Sequence, residues 1–293
     1  MSICHEEETP LVEFVRPKKT KSFLSLLSIR YILWRRHNLT IIDPPMDFCT
    51  IEKVATTQWR NVQCFLNEGL PPQKAARPCH LNDTMLRSRR QSHETIPRAV
   101  MLRDPLERLL SGYLNKCADS LRRRIEGHCS PNSVFNGTEL TDAIRDDKKQ
   151  MFAAYVDGFP LMWDMHFFPQ SMYCDGLFRH VDEYDYVGRM GRDFYGQLRN
   201  MTEALGSNGK DDNRLSEALD AVFDLKFQIG VGRANDGNVG SETRAAMRVR
   251  EYYTAASVRR ALEYFAVDYV RLGLEIPGWA HEILEEDDEI FAV

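Results

Sequence analysis

Two short stretches of the chain carry the residue types that handle anions. In Ile51-Glu-Lys-Val-Ala-Thr-Thr-Gln-Trp-Arg60 a single cation, Lys53, stands ahead of two hydroxyls, Thr56 and Thr57. The first amides of a helix point outward unpaired, and the helix dipole favours negative charge there. A lysine and two hydroxyls at such an end make an anion cradle. Taken alone, the same residues also fit a surface lysine beside an ordinary threonine cap. The second stretch offers Arg103 where an apolar run ends, and Ser111 about two helical turns on. A guanidinium grips phosphate through two hydrogen bonds, and the serine hydroxyl could reach the same anion. Two such sites, each after a strand of one sheet, suggest a ligand with two separated anionic groups. The Walker pattern G-x-x-x-x-G-K-[ST] is absent, which argues against a standard P-loop ATPase or kinase.

The elements that must position these residues can be read from periodicity. Leu39–Ile42 and Phe48–Ile51 read as short strands either side of the turn Asp43-Pro-Pro-Met-Asp47. Trp59, Val62, Phe65 and Leu66 recur at helical spacing until Gly69, so Lys53 falls in a strand-to-helix turn. Ile96–Leu102 is a β-rich apolar run, and Asp104-Pro-Leu-Glu107 begins a helix with a good N-cap, a first-turn proline and the glutamate of a capping box. Leu106, Leu109, Leu110, Tyr113, Leu114 and Cys117 form its buried stripe, with Arg108 and Ser111 on the other face. A short strand is expected at 185–188, with helices near 192–206, 215–225 and 258–272. Alternating strands and helices with short turns predict an α/β fold, a mainly parallel central sheet flanked by helices. Ligands bind at the carboxyl ends of such strands.

Composition narrows the function. The chain has 293 residues, is 43% hydrophobic and carries a formal net charge of -5, so it is no polycation. Polyanion binding would have to come from local patches such as Arg87-Ser-Arg-Arg90 or Arg122–Arg124. The best apolar stretch, Phe23–Trp34, contains Arg30 and falls short of the ~20 residues a spanning helix needs. Seven cysteines include no CxxC pair, and the His128-Cys129 and Cys79-His80 neighbours lack zinc-ligand spacing, so no structural metal is expected. Asn-x-Ser/Thr triplets at Asn38, Asn82, Asn136 and Asn200, with the cysteines, lean towards the secretory pathway. Residues 1–36 read as a poorly ordered extension, 37–274 as the domain, and 275–293 as an acidic tail.

These motifs together carry a resemblance. "EKVATTQW" resembles the 5′-phosphosulfate loop, and "LRDPLERLLSGY" the 3′-phosphate motif, of the Golgi carbohydrate sulfotransferases, the chondroitin and dermatan enzymes among them. "HFFPQSMYC", "YDYVG" and the closing "YYT…YFAVDYVRLGL" are similar to further blocks in the same order, over roughly residues 37–274. The resemblance implies a P-loop-like sulfotransferase fold without a Walker A motif, 3′-phosphoadenosine 5′-phosphosulfate (PAPS) as donor, and a sugar hydroxyl of a glycan as acceptor. It implies a Golgi location, membrane anchoring and no nucleic-acid partner. Lys53 would stabilise the bridging oxygen as charge grows on it. The amides of Val54, Ala55, Thr56, Thr57 and Gln58 would hold the 5′ end, and Arg103 and Ser111 the 3′-phosphate. Arg108 would either help there or cross-link the helix surface. His166, at the family's His-x-x-Pro-Gln position, would be the base, with Asp164 a candidate to orient it. Arg233, in the glycine-rich segment 230–240, is a further candidate contact.

One departure stands out. The family usually has proline where this chain has Glu52, and a carboxylate there would repel the donor if it faced inward, so it is expected to face solvent. Cys117 and Cys129 are near enough to pair in an oxidising lumen or to remain buried thiols. The competing functional reading is a non-catalytic glycan- or nucleotide-binding protein on the same fold, motivated by Glu52 and the lack of an evident anchor. A nucleotide kinase is weaker still, lacking a Walker loop and a placed magnesium-binding acid.

Overall fold

The structure, a computed structural model, describes residues 38–41, 45–69, 96–123, 129, 141, 144, 146–158, 164–191, 193–206, 213–223 and 244–291. Arg87–Arg90, Arg124, Arg233, Asn82, Asn136 and the segments 1–36 and 230–240 lie outside the described residues.

Four strands make one sheet in the order β1 (Asn38–Ile41), β2 (Met46–Cys49), β3 (Arg98–Leu102), β4 (Tyr186–Arg189). The first pair is antiparallel; β2 with β3 and β3 with β4 run parallel. Ala99 to Leu102 of β3 are all buried, as expected for a central strand covered on both faces. The second strand was expected at 48–51 but ends at Cys49. The carbonyl of Ile51 is taken instead by the turn, accepting from the Val54 amide at 3.0 Å and the Thr56 hydroxyl at 2.7 Å. The sheet therefore stops just short of Lys53.

The helices are α1 (Thr56–Glu68), α2 (Pro105–Lys116), α3 (Ala118–Arg123), α4 (Lys148–Asp157), α5 (Phe194–Gly206), α6 (Arg214–Phe223), α7 (Ala245–Tyr252), α8 (Ala255–Arg271) and α9 (Gly278–Phe291). Gly69 ends α1 in the left-handed conformation, φ 64°, returning its amide to Phe65, a backbone state that costs glycine little. Asp104 caps α2 by accepting the Glu107 amide. Thr254 and Ser257 form a reciprocal capping box at α8.

Two apolar clusters fill the interior. One joins the sheet to α1, α5 and α6, with Trp59 stacked on Phe48 at 3.8 Å and edge-on to Phe223 at 5.3 Å. The other joins α2, α4, α7, α8 and α9 around Tyr113, Phe152, Tyr155 and Tyr253. Arg108 and Ser111, on the face of α2 away from its apolar stripe, are fully buried, at 0% and 1% exposure, and Arg108 bonds Phe168 and Tyr173 across that side. One expectation is corrected here. The acidic C-terminal segment carries the docked helix α9, with Ala280 and Ile283 buried and Arg259 paired to Asp287. Disulfides join Cys49 to Cys174 and Cys117 to Cys129, and Cys64 is also disulfide-bonded. No described helix is long and apolar enough to cross a membrane.

Candidate functional site

β2 and β3 are neighbours and parallel, so the turns that follow them open side by side. The first runs from Thr50 to Ala55. Lys53 and Ala55 both sit at positive φ, 70° and 54°, a region that non-glycine residues occupy only when their surroundings hold them there. The holding contacts are explicit. Ile51's carbonyl is bonded within the turn, Glu52's accepts Arg108 Nε at 2.8 Å, and Lys53's accepts Arg103 Nη1 at 3.2 Å. Both arginines of the second stretch thus clamp the first. Lys53 and Arg103 converge rather than face apart.

Ala55, not a threonine, is the N-cap of α1, and no side chain caps that end. Thr56, Thr57 and Gln58 form the first turn at this helix N-terminus, where an anion is favoured. Thr57 is exposed, while the Thr56 hydroxyl donates to Ile51 and is buried. Val54 is buried, its amide used in the turn. Lys53 Nζ donates to Asn115 Oδ1 at 3.1 Å. Burial, with Arg103 and Lys116 nearby, lowers the Lys53 pKa to about 8. Arg103, Lys116 and Arg108 all act on Lys53 beside this helix end, with Glu52 opposing them.

Arg103 is 7% exposed, its Nε 3.7 Å from Glu107. Its main chain is gripped by Gln170, whose Oε1 accepts the Arg103 amide at 3.0 Å while Nε2 donates to the Arg103 carbonyl at 2.6 Å. Arg108 spends its guanidinium on protein: Nη1 to the Phe168 carbonyl at 2.6 Å and Nη2 to the Tyr173 hydroxyl at 3.0 Å, besides the bond to Glu52. Of the two roles considered for Arg108, these contacts describe the cross-link, running through the interior rather than along the surface.

His166 is the middle residue of a 3-10 turn, Met165–Phe167, capped by Asp164. Asp164 Oδ1 accepts the His166 amide at 2.9 Å and stands 2.7 Å from its Nδ1. Nδ1–H paired to a carboxylate leaves Nε2 as the ring's basic atom. The imidazole side chain is 15% exposed. Pro169-Gln170-Ser171 then docks on α8, where Asp268, fully buried, accepts the amides of Gln170 at 2.7 Å and Ser171 at 2.8 Å. Burial raises the Asp268 pKa above the ordinary carboxylate value. Gly112 of α2 lies so close to this turn that a Cβ there would meet Phe167 Cε1 at 2.5 Å.

The expectation that Glu52 faces solvent is overturned. Its side chain is 14% exposed, with Oε1 3.1 Å from Arg60 Nη2 and Oε2 3.9 Å from His166 Nε2. Arg60, on the first turn and a half of α1, neutralises the carboxylate and draws it along the helix flank. Arg60, Asn115, Gln170 and Asp268 have no local signature, because their partners lie 8 to 98 positions away. The only signal for Gln170 is its place in the "HFFPQS" block. Among the described residues no group of three or more His, Cys, Asp or Glu side chains is set to hold a metal ion.

Comparison with known proteins gives one result that bears on this geometry. A sequence model described as the sulfotransferase family matches residues 38–272, the segment that holds the sheet, both turns, the His166 turn and α8. No curated protein and no solved structure matches the chain.

Proposed function

Because the chain belongs to the sulfotransferase family, and so transfers sulfuryl groups, we propose that its donor is PAPS and its acceptor a hydroxyl of a glycan. The single observation carrying the donor assignment is the junction of the two turns. An uncapped helix N-terminus with Lys53 beside it lies next to a buried arginine of the adjacent strand end, and the arginine bonds the lysine's own carbonyl. A donor with a sulfated phosphate at one end and a phosphate at the other fits that charge layout.

In this reading the amides at the start of α1, residues 55–58, and the Thr57 hydroxyl hold the 5′ group, with the Val54 amide and the Thr56 hydroxyl bracing the turn from within through Ile51. Arg103 and Ser111 answer the 3′-phosphate, and Arg108 serves them by fixing the Lys53 loop. Lys53, freed from Asn115, places its charge on the oxygen that leaves. His166 Nε2 accepts the proton of the acceptor hydroxyl, with Asp164 holding the ring. As the acceptor oxygen bonds sulfur, the bond from sulfur to the bridging oxygen breaks and its electron pair leaves with the nucleotide. The disulfides favour an oxidising compartment, consistent with a Golgi lumen, and the exposed Asn200 is available to a glycan there. The binding-only alternative was motivated by Glu52 and the lack of an evident anchor, and the pairing of Glu52 with Arg60 weakens the first motive.

The test is incubation with radiolabelled PAPS and a panel of chondroitin, other galactans and small phenols. Transfer to a glycan by the wild type, lost in Lys53→Ala while the nucleotide still binds, is the expected result. Tight donor binding with transfer to nothing on the panel would favour the binding module, and transfer to phenols alone would reject the glycan assignment.

A further inference from the structure

Glu52 occupies a position that the fold could have filled with any residue whose carbonyl accepts Arg108. Instead its side chain is turned to the His166 ring. Among the described residues it is faced by Arg60 Nη2 at 3.1 Å and His166 Nε2 at 3.9 Å, with Lys53, the Tyr173 hydroxyl and Arg108, which bonds the Glu52 carbonyl, close by. His166 in turn faces Asp164 at Nδ1 and Glu52 at Nε2. At 3.9 Å the Glu52 carboxylate is beyond hydrogen-bond reach of Nε2, so it does not occupy the lone pair that takes the proton. It is close enough to act on the charge that appears once the proton arrives.

We propose that Glu52 is a positioning residue for the base: flanking His166 opposite Asp164, it stabilises the imidazolium formed as the acceptor hydroxyl is deprotonated, with Arg60 fixing its side chain. This rests on the sulfuryl-transfer reading for its catalytic consequence, though not for its electrostatic one. The proton moves from the acceptor oxygen to Nε2, the imidazolium then lies between two carboxylates, and the proton is returned to solvent after the nucleotide leaves. The ion pair with Arg60 explains how a carboxylate is tolerated next to an anion cradle. It holds the charge on the His166 side of Lys53 and balances it for the incoming donor.

Three measurements on the full chain separate this role from a structural one. In Glu52→Gln, kcat should fall about tenfold with the donor KM unchanged or lower, because a like charge near the donor is removed. The acidic limb of the kcat profile should move to lower pH, since a neutral neighbour favours the charged ring less. In a His166→Ala background, Glu52→Gln should cost nothing further, because there is no imidazolium left to stabilise. Equal losses in both backgrounds, or a fall in kcat with an unmoved limb, would overturn the proposal. Should the wild type transfer no sulfuryl group at all, the function above fails, and ring NMR of His166 without donor still decides this inference. The titration midpoint is expected to drop in Glu52→Gln, and coincident curves would refute it.

Discussion

Replacing Arg108 with methionine isolates what this residue does. Its guanidinium is buried and makes three short bonds, to the Glu52 carbonyl, the Phe168 carbonyl and the Tyr173 hydroxyl, at 2.8, 2.6 and 3.0 Å. A fourth, to Met165, is long at 3.4 Å. Hydrogen bonds to a charged group contribute about 1.5–3 kcal/mol each, so the three short bonds represent a gross loss of about 5–9 kcal/mol. Removing the cation also removes its desolvation penalty, several kcal/mol in the opposite direction. The balance is a net loss of about 3–5 kcal/mol, a large part of the 5–15 kcal/mol typical of a folded domain. Urea unfolding followed by tryptophan fluorescence, with Trp59 buried beside the turn, measures it. Arg108→Lys keeps the charge but has no fork to span three acceptors, so it should recover less than half of the loss. A stability change under about 1 kcal/mol in Arg108→Met, together with loss of binding to 3′-phosphoadenosine 5′-phosphate, would refute the cross-link and make Arg108 a ligand contact.

Three further outcomes are expected. Lys53 titrates at about 8 in the folded chain against 10.5 as its ordinary value, so the unfolded chain holds the extra proton between those limits and stability should rise with pH across them. Nucleotide affinity should run the other way, level well below about 8 and falling above it, by at most about a hundredfold at pH 10 as the charge is lost; calorimetry on wild type and Lys53→Met checks both, and a flat wild-type affinity would reject the lysine's role. Gly112→Ala puts a methyl into Phe167, costing about 1–3 kcal/mol by overpacking. Because that turn carries His166, kcat should fall more than donor binding, and an unchanged kcat would show the turn to be slack. Replacing Cys49 and Cys174 together with serine removes a link spanning 125 positions, for which a loss of about 2–4 kcal/mol is expected. A melting temperature unaltered by the double change would mean that the bonds to Asp268, Arg108 and Arg103 suffice to hold the 165–174 segment.

The local grammar of the site is legible in the amino-acid order. Apolar runs read to Ile51 and Leu102, Gly69 after a helical stripe, and Asp104-Pro105 ahead of another each depend on neighbours within a turn or two, so periodicity places these element ends to within about two residues. The order of motifs likewise points to an anion-handling α/β fold, and the family match over 38–272 agrees with it. What periodicity could not supply was the side of α2 that carries Arg108 and Ser111. A polar pair opposite an apolar stripe says nothing of what covers it, and only the tertiary structure, with Arg108 bonded to Phe168 and Tyr173, made that face interior.

The sequence by itself therefore determined helices α1, α2, α5, α6 and α8, the four strands to within about two residues, the two strand-to-helix turns and the place of Lys53, Arg103 and His166 in the motifs that carry the resemblance. Tertiary structure alone decided how those residues are held and charged. It tied Arg103 to the carbonyl of Lys53, buried Arg108 under Phe168 and Tyr173, hung the Gln170 turn on Asp268, and turned Glu52 from solvent towards Arg60 and His166. The reason is physical: backbone preferences and periodicity act over a few residues, whereas desolvation and charge pairing depend on which groups are brought together from distant parts of the chain.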